Sequence, residues 1–138
     1  QLEMKCKDQE KVIIETDLVS DVSIHSAAML ITDWSGIAFE YAFGTERPVL
    51  FIDTPRKVNN PDYEDLDIEP LIVKLRNKIG RSVSPHTLQM VPGMITQLLK
   101  EQKTFKEKIT AYRDTYIYHW GKSAQRCADY IISLCSSS

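Results

Sequence analysis

The residues with the clearest capacity for chemistry lie between positions 30 and 41, at a tight turn between an apolar run and a helical pattern. Ser35 and Gly36 are small, so a ligand can approach the backbone of this turn closely. Free N–H groups and the positive end of the helix dipole suit a bound phosphate there, and the Ser35 hydroxyl adds a donor. Glu40 follows about one and a half turns into the helix, where its carboxylate can accept hydrogen bonds from ligand hydroxyls. The residue types of this turn are compatible with a binding site for a phosphorylated ligand.

The same residues also fit a plain helix N-cap. A serine at the start of a helix accepts a hydrogen bond from a backbone N–H two or three residues later and so stabilises the helix. A strand, a turn with Ser and Gly, and a helix occur in many α/β proteins that bind nothing at that point. The residue types at 33–36 therefore leave both interpretations open.

The elements that must position this turn alternate between strand and helix along the chain. Strands are predicted at residues 11–15, 29–32, 48–52 and 71–75. Helices are predicted at 21–28, at 37–43 with Gly44 as its stop, from Ser84-Pro85 to a break at Pro92-Gly93, at 94–116 and at 122–134. This alternation favours an α/β fold with helices on both faces of a parallel sheet of about four to six strands. The runs at 29–32 and 48–52 are apolar, as strands buried on both faces should be.

The composition is that of an ordinary globular domain and disfavours several classes of function. The 138 residues fit one domain, with 43% hydrophobic and 26% charged side chains. A formal net charge of −2 argues against nucleic acid as a partner. No apolar run reaches the roughly 18 residues that a membrane span needs, and the polar segment 1–10 does not have the pattern of a signal peptide.

The cysteines predict a reducing compartment. Cys6, Cys127 and Cys135 are odd in number and lack paired spacing, which argues against a disulfide framework. No Cys or His pair has the spacing of a metal site, and we expect neither a metal ion nor another cofactor. The free thiols favour a cytoplasmic location. The chain opens on Gln1 rather than Met, and we expect it to be a piece of a longer protein.

Two basic stretches follow the turn along the chain. The first contains Lys74, Arg76, Lys78 and Arg81, and the second contains Lys100, Lys103, Lys106, Lys108 and Arg113. Such stretches usually form solvated helix faces. They can also attract a polyanionic acceptor or anionic lipid headgroups, and the sequence does not decide between these roles.

The segment from Leu30 to Tyr41, Leu-Ile-Thr-Asp-Trp-Ser-Gly-Ile-Ala-Phe-Glu-Tyr, resembles the hallmark "ITDYSS…(F)DY" stretch of the CDP-glycerol glycerophosphotransferases. These enzymes build teichoic-acid-type polymers. As in that family, a Pro-led apolar run follows, here Arg47-Pro48-Val49-Leu50-Phe51. The run 121–126 is similar to the family's closing "G-x-(A/S)-x-x-R" helix. The resemblance covers roughly residues 12–53 and 117–133.

The resemblance implies that this chain is a single Rossmann-like, three-layer domain over 1–138, the C-terminal half of a GT-B type transferase. That half binds the nucleotide donor. By resemblance, Ser35 and Gly36 stand where two serines hold the diphosphate, Glu40 stands where an acidic residue binds the donor, and Asp33 belongs to the same donor-binding turn. Gly36 replaces a serine and Glu40 replaces the usual aspartate, so the identity of the donor stays open.

The implied reaction moves glycerol phosphate from CDP-glycerol to a hydroxyl of a polymer or glycolipid and releases CMP. The acceptor would be a polyol phosphate or glycolipid, and the parent enzyme would be peripheral on the inner face of the cell membrane. The family's histidine base is expected in the N-terminal domain or in a segment before Gln1, so no catalytic base is assigned here. We therefore expect this chain by itself to lack transferase activity.

Two other functions remain open from the sequence. A GT-B glycosyltransferase or epimerase that uses a UDP-sugar would keep the same phosphate-binding turn and change the pockets for the base and sugar. A non-catalytic α/β interaction module would carry the same turn without a ligand. Binding of CDP-glycerol, CDP-ribitol, a UDP-sugar or no nucleotide separates these functions.

Overall fold

The computed structural model describes residues 11–16, 22–56 and 69–136, which form a mixed α/β fold. The helices are α1 Val22–Ser26, α2 Ile37–Thr45, α3 Leu71–Ile79, α4 Val91–Lys100, α5 Gln102–Tyr116 and α6 Ser123–Ser136, with a 3₁₀ helix at Pro85–Met90. The strands are β1 Leu30–Thr32, β2 Val49–Ile52 and β3 Gly80–Val83. The predicted helices at 21–28 and 37–43, the strand at 48–52 and the last helix are confirmed within a few residues.

The three strands form one parallel sheet in the order β1-β2-β3. The predicted parallel sheet is confirmed, but the described residues contribute three strands rather than the expected four to six. β2 is the central strand, and Val49, Leu50 and Phe51 are fully buried. The expectation that β1 is buried on both faces is wrong, because Ile31 is 46% exposed on an edge strand that pairs only with β2 among the described residues.

The strand predicted at 71–75 is wrong, because these residues begin helix α3. Leu71, Ile72, Leu75 and Ile79 repeat at helical spacing, and short apolar runs fit a strand and a buried helix equally well until that spacing is followed further. The missed strand is β3, which starts immediately after α3. Gly80 there pairs with Val49, and a Cβ atom on Gly80 would collide with the Val49 carbonyl oxygen.

The strand predicted at 11–15 is also wrong, since residues 11–16 contain no strand. Ile13 is 91% exposed, so the apolar run lies against no core that the structure describes. A short run takes up strand geometry only where a neighbouring strand satisfies its backbone hydrogen bonds. The sequence reveals the apolar run but not whether a neighbour is available.

Helix α2 does not stop at Gly44, as the sequence predicts, but continues to Thr45. The residue in the left-handed conformation is Glu46, with φ of 57°, and its N–H donates to the Ala42 carbonyl oxygen over 2.9 Å. Arg113 of α5 donates to the Phe43 carbonyl oxygen over 3.3 Å and to the Glu46 carboxylate over 3.1 Å. Contacts with α5 therefore stabilise this end of the helix.

The predicted helix start at Ser84-Pro85 is confirmed as the start of the 3₁₀ helix. The predicted break at Pro92-Gly93 is displaced, because both residues lie in the first turn of α4, where proline is tolerated. The helix expected at 94–116 is two helices, α4 and α5, which meet at Glu101.

The core lies between the sheet and helices α2 to α5. Its largest fully buried side chains are Tyr41, Phe51, Leu50, Leu75, Ile79, Leu98, Ile109 and Val49. The Tyr41 hydroxyl donates to the Ala27 carbonyl oxygen over 2.9 Å, and burial raises the pKa of Tyr41.

Helix α6 differs from the helices that form the core, because it has no buried residue. None of the described helices is long and apolar enough to cross a membrane.

Candidate functional site

The turn at 33–36 lies at the carboxyl end of β1 and leads directly into α2. Gly36 already has helical backbone angles, φ −61° and ψ −26°. The amides of Ala38 and Phe39 donate to the carbonyl oxygens of Ser35 and Gly36 over 3.3 and 3.0 Å. The amides of Gly36 and Ile37 have no backbone acceptor within the described part of the chain. These N–H groups are available to an anion at the helix N-terminus.

The Ser35 side chain does not cap α2. The N-cap residue is Gly36, and the structure shows no side-chain cap hydrogen bond at this end of the helix. Ser35 is partly buried, and its hydroxyl has no hydrogen-bond partner among residues 11–16, 22–56 and 69–136. The plain N-cap interpretation therefore lacks the bond on which it depends, and the hydroxyl is available to a ligand.

Gly36 is exposed, and a Cβ atom built on it meets nothing within 4 Å. Its φ lies in the ordinary helical region, so the backbone does not require glycine at this position. Neither packing nor backbone geometry explains the glycine. The space beside it is open to a ligand that approaches the helix N-terminus.

Arg76 of α3 is the main component of this site that sequence reasoning missed. Its side chain is 4% exposed, whereas the sequence assigned it to a basic stretch typical of a solvated helix face. Nη1 donates to the Asp33 carbonyl oxygen over 2.9 Å, and Nη2 donates to the Ile52 carbonyl oxygen over 3.2 Å. Nη2 also lies 3.4 Å from the Asp53 carboxylate. Arg76 thus joins the carboxyl ends of β1 and β2.

Two aromatic rings enclose the Arg76 guanidinium. The guanidinium carbon lies 4.0 Å from the centre of the Trp34 ring and 4.3 Å from that of Phe51. Burial lowers the pKa of Arg76, and the nearby carboxylates of Asp53 and Asp33 oppose this effect. The group stays a cation, because arginine titrates far above neutral pH. It places a fixed positive charge directly behind the turn.

Trp34 also links the turn to the segment after β2. Its indole Nε1 donates to the Thr54 carbonyl oxygen over 2.7 Å. The guanidinium of the exposed residue Arg56 lies 5.9 Å from the centre of the Trp34 ring. Two arginines therefore lie beside the turn, one buried and one at the surface.

The carboxylates of Asp33 and Asp53 lie at the same edge of the sheet and are both exposed. They offset part of the positive charge of Arg76 and Arg56. The described residues contain no group of three potential metal-binding side chains. The arrangement supports anion binding through backbone N–H groups and the Ser35 hydroxyl, with the buried charge of Arg76 close to the turn and Asp33 placed to accept hydrogen bonds from ligand hydroxyls.

Glu40 lies apart from the other predicted site residues. It is exposed on α2 and lines an apolar cavity of about 400 Å³, whose other walls are Phe39, Phe43, Leu71, Ile117 and Trp120. Ser35 and Gly36 do not line this cavity. The structure thus brings Asp33, Ser35 and Gly36 together with Arg76 and places Glu40 at a neighbouring apolar cavity.

The two segments that carry the family resemblance meet at this cavity, since Glu40 comes from the first segment and Ile117 and Trp120 come from the second. Sequence reasoning had no signal for this meeting, because the two segments are separated by α3, β3, α4 and α5. Comparisons of the chain with models of known protein families, with curated proteins and with solved structures found no match.

Proposed function

We propose that the turn at 33–36 and the N-terminus of α2 bind the diphosphate of a nucleotide-activated donor, and that the chain is the donor-binding part of a transferase. One observation carries the proposal. At the carboxyl edge of a parallel sheet, a helix N-terminus presents a serine hydroxyl and amides that have no partner among the described residues, beside a buried arginine.

The position of the turn favours a bound phosphate on physical grounds. In open parallel sheets, ligands bind in the crevice outside the carboxyl ends of the strands. The helix dipole places roughly half a positive charge at the N-terminus. Arg76 adds a full charge at the carbonyl of Asp33, within the same turn. Exposed Gly36 leaves space for the phosphate oxygens to reach the backbone.

The cavity at Glu40 supports a donor larger than a diphosphate. Glu40 lies four residues beyond Gly36, a rise of about 6 Å along the helix. Phe39, Phe43 and Trp120 supply aromatic walls on which a nucleobase can pack. The Glu40 carboxylate is placed to accept a hydrogen bond from a hydroxyl of the donor. A donor lying along α2 would span the turn and the cavity together.

CDP-glycerol is the donor that the family resemblance favours. In the proposed reaction, the acceptor hydroxyl oxygen attacks the phosphorus of the glycerol phosphate group, and the bond from that phosphorus to CMP breaks. A general base takes the hydroxyl proton, and positive groups stabilise the charge on the leaving CMP. This chain would supply the second component through the turn and Arg76. The general base would come from a partner domain. That partner domain would be the N-terminal half of a GT-B arrangement of Rossmann-like domains.

The acceptor in this proposal is a polyol phosphate or glycolipid hydroxyl, with the parent enzyme peripheral on the inner face of the cell membrane. The sequence resemblance alone supports this acceptor and this location.

For the 138-residue chain by itself, the first prediction is that it binds CDP-glycerol without consuming it, since both walls of a transferase cleft are needed to position the reactants.

Titration calorimetry on the 138-residue chain tests the proposal with CDP-glycerol, CDP-ribitol, a UDP-sugar and CMP. We expect CDP-glycerol to bind most tightly, and CMP to bind more weakly because it lacks the second phosphate and the glycerol. Tighter binding of the UDP-sugar would identify a glycosyltransferase or epimerase. Absence of binding by all four nucleotides would reject donor binding and favour an interaction module.

A further inference from the structure

A second cleft lies between α3, β3, α4 and α5. Its volume is about 550 Å³. It is lined by Asn77, Lys78, Gly80, Arg81, Ser82, Met94, Phe105, Lys108 and Tyr112. None of these residues belongs to the turn at 33–36 or to the cavity at Glu40, so the cleft is a separate site.

The lining of this cleft carries three cations and no carboxylate. Lys78 and Lys108 form no ion pair with any residue that the structure describes. Lys108 lies over the Phe105 ring, with Nζ 5.6 Å from the ring centre. Three cations that line one cleft make its potential positive and favour an anionic ligand there. The nearby Glu101 carboxylate, which bonds to Arg81 and interacts electrostatically with Lys108, offsets only part of this charge.

Arg81 is only partly neutralised. Its Nη2 donates to the Glu101 carboxylate over 2.7 Å, and this bond holds the pKa of Glu101 below its usual range. The Arg81 Nε atom is buried and has no hydrogen-bond partner among the described residues. A buried donor without a partner is costly. Because this atom is enclosed, a ligand in the cleft would meet other parts of the Arg81 side chain, which as a whole is 38% exposed. Nearby polar groups are Ser82 and Asn77, which bond to each other over 3.1 Å.

The remaining walls are apolar or aromatic. Phe105 is buried, and Met94 and Tyr112 are partly buried. A volume of about 550 Å³ lies in the range of pockets that hold small organic molecules. An inorganic ion alone would leave these walls uncovered. The chemistry of the cleft therefore matches an anion attached to an organic body.

We propose that this cleft binds a small phosphomonoester, with its phosphate between Lys78, Arg81 and Lys108 and its organic part against Met94, Phe105 and Tyr112. The site goes beyond the donor function, since it needs neither a nucleotide nor the turn at 33–36. Phosphate is favoured over a carboxylate because three cationic groups match a dianion with three acceptor oxygens.

Phenyl phosphate is the probe for this site. Inorganic phosphate and uncharged phenol, which each represent one half of the probe, are the control ligands. At pH 8 the phosphate is a dianion, because its second pKa is about 6. By calorimetry on the 138-residue chain, we expect phenyl phosphate to bind about tenfold more tightly than inorganic phosphate, because the ring is buried. Phenol should not bind measurably. Affinity should fall with added salt, because the contacts are ionic.

Variants locate the binding and separate it from the donor turn. Lys78→Gln and Lys108→Gln should each lower the affinity for phenyl phosphate about threefold, which is the size of effect expected for exposed ion pairs. Glu101→Gln should strengthen it by a similar factor, because Arg81 loses its competing carboxylate. The matched control, Lys100→Gln, removes an exposed lysine of α4 that does not line the cleft and should change nothing. Ser35→Ala should also leave phenyl phosphate affinity unchanged.

The proposal fails if phenyl phosphate does not bind at millimolar concentration, or if inorganic phosphate binds equally well. It also fails if Lys100→Gln weakens binding as much as Lys78→Gln, because the effect would then be one of net charge. Loss of CDP-glycerol binding in Ser35→Ala with phenyl phosphate binding retained would support both sites independently. The reverse pattern, with phenyl phosphate lost in Ser35→Ala, would assign the probe to the donor turn and overturn the second site.

Discussion

Two serines follow strands of the same parallel sheet and precede helical turns, but the fold uses them differently. Ser84, after β3, accepts a hydrogen bond on its hydroxyl oxygen from the His86 amide over 3.2 Å, and Pro85 takes the first helical position. Ser35, after β1, makes no such bond. One serine completes the start of its helix. The other leaves its hydroxyl and the adjacent amides without a partner among the described residues.

Charge distinguishes the same two turns. Arg76 donates to the Asp33 carbonyl in the Ser35 turn and to the Ile52 carbonyl after β2. It donates to no atom of the Ser84 turn within the described residues. Positive charge is therefore concentrated behind the serine that lacks a partner. The contrast separates a serine that stabilises the fold from one that is available to a ligand.

The largest expected effect is on the residue that supports the Ser35 turn. Arg76→Ala should lower the free energy of unfolding by about 3 kcal/mol, because two carbonyls lose a charged donor and two rings lose their cation. Urea denaturation measures this loss. Lys78→Ala, on the exposed face of the same helix, should change stability by less than about 0.5 kcal/mol. A loss below about 1 kcal/mol in Arg76→Ala would contradict a structural role for the buried cation.

The next effect is steric. Gly36→Val should reduce CDP-glycerol affinity at least about hundredfold, or roughly 2.8 kcal/mol, because the side chain fills the space that the phosphate needs. The fold should survive, since a Cβ atom there meets nothing within 4 Å. Gly44→Val is the matched control, as it makes the same change at an open position of the same helix. Equal affinities in the two variants, measured by calorimetry, would place the donor elsewhere.

Ser35→Ala should weaken CDP-glycerol binding about tenfold to a hundredfold, because a hydrogen bond to a charged group contributes roughly 1.5 to 3 kcal/mol. Its thermal stability should stay close to that of the parent chain, because no cap bond is lost. Calorimetry and thermal unfolding on the same samples give both quantities. A fall in stability with unchanged affinity would restore the N-cap interpretation.

Ser84→Ala should show the opposite pattern. Loss of the bond to the His86 amide should lower the free energy of unfolding by about 1 kcal/mol, while CDP-glycerol affinity stays unchanged. Denaturant titration and calorimetry measure the two effects. If Ser84→Ala lowered the affinity for CDP-glycerol as much as Ser35→Ala does, the two turns would not differ in function.

The smallest effect concerns the other end of α2. Hydrogen bonds from Lys106 and then Arg113 hold the pKa of Glu46 below its usual value of 4.5. A carboxylate with a lowered pKa stabilises the fold fully above that usual value, and the contribution is lost as the pH falls through the lowered pKa. Glu46→Gln should therefore be less stable than the parent chain at pH 7, and the difference should shrink on acidification. A difference that does not change with pH would contradict this account.

The sequence was sufficient for the elements around the turn. The strand before Asp33, the helix after Gly36 and the buried strand from Val49 were predicted from apolar runs and turn residues. These signals are local, because strand, turn and helix preferences depend on neighbouring residues. The last helix was predicted for the same reason. Where the local signal was a short apolar run, as at 11–15 and 71–75, it did not specify the element.

The sequence by itself determined the α/β class, the elements on either side of the turn, and the candidate turn with Asp33, Ser35 and Gly36. Tertiary structure alone decided that Ser35 lacks a cap bond and that Arg76 is buried behind the turn. Arg76 and Asp33 are 43 residues apart, and Glu40 and Trp120 meet across most of the chain. Such contacts depend on how helices pack on the sheet, and a local pattern of residue types contains no information about that packing.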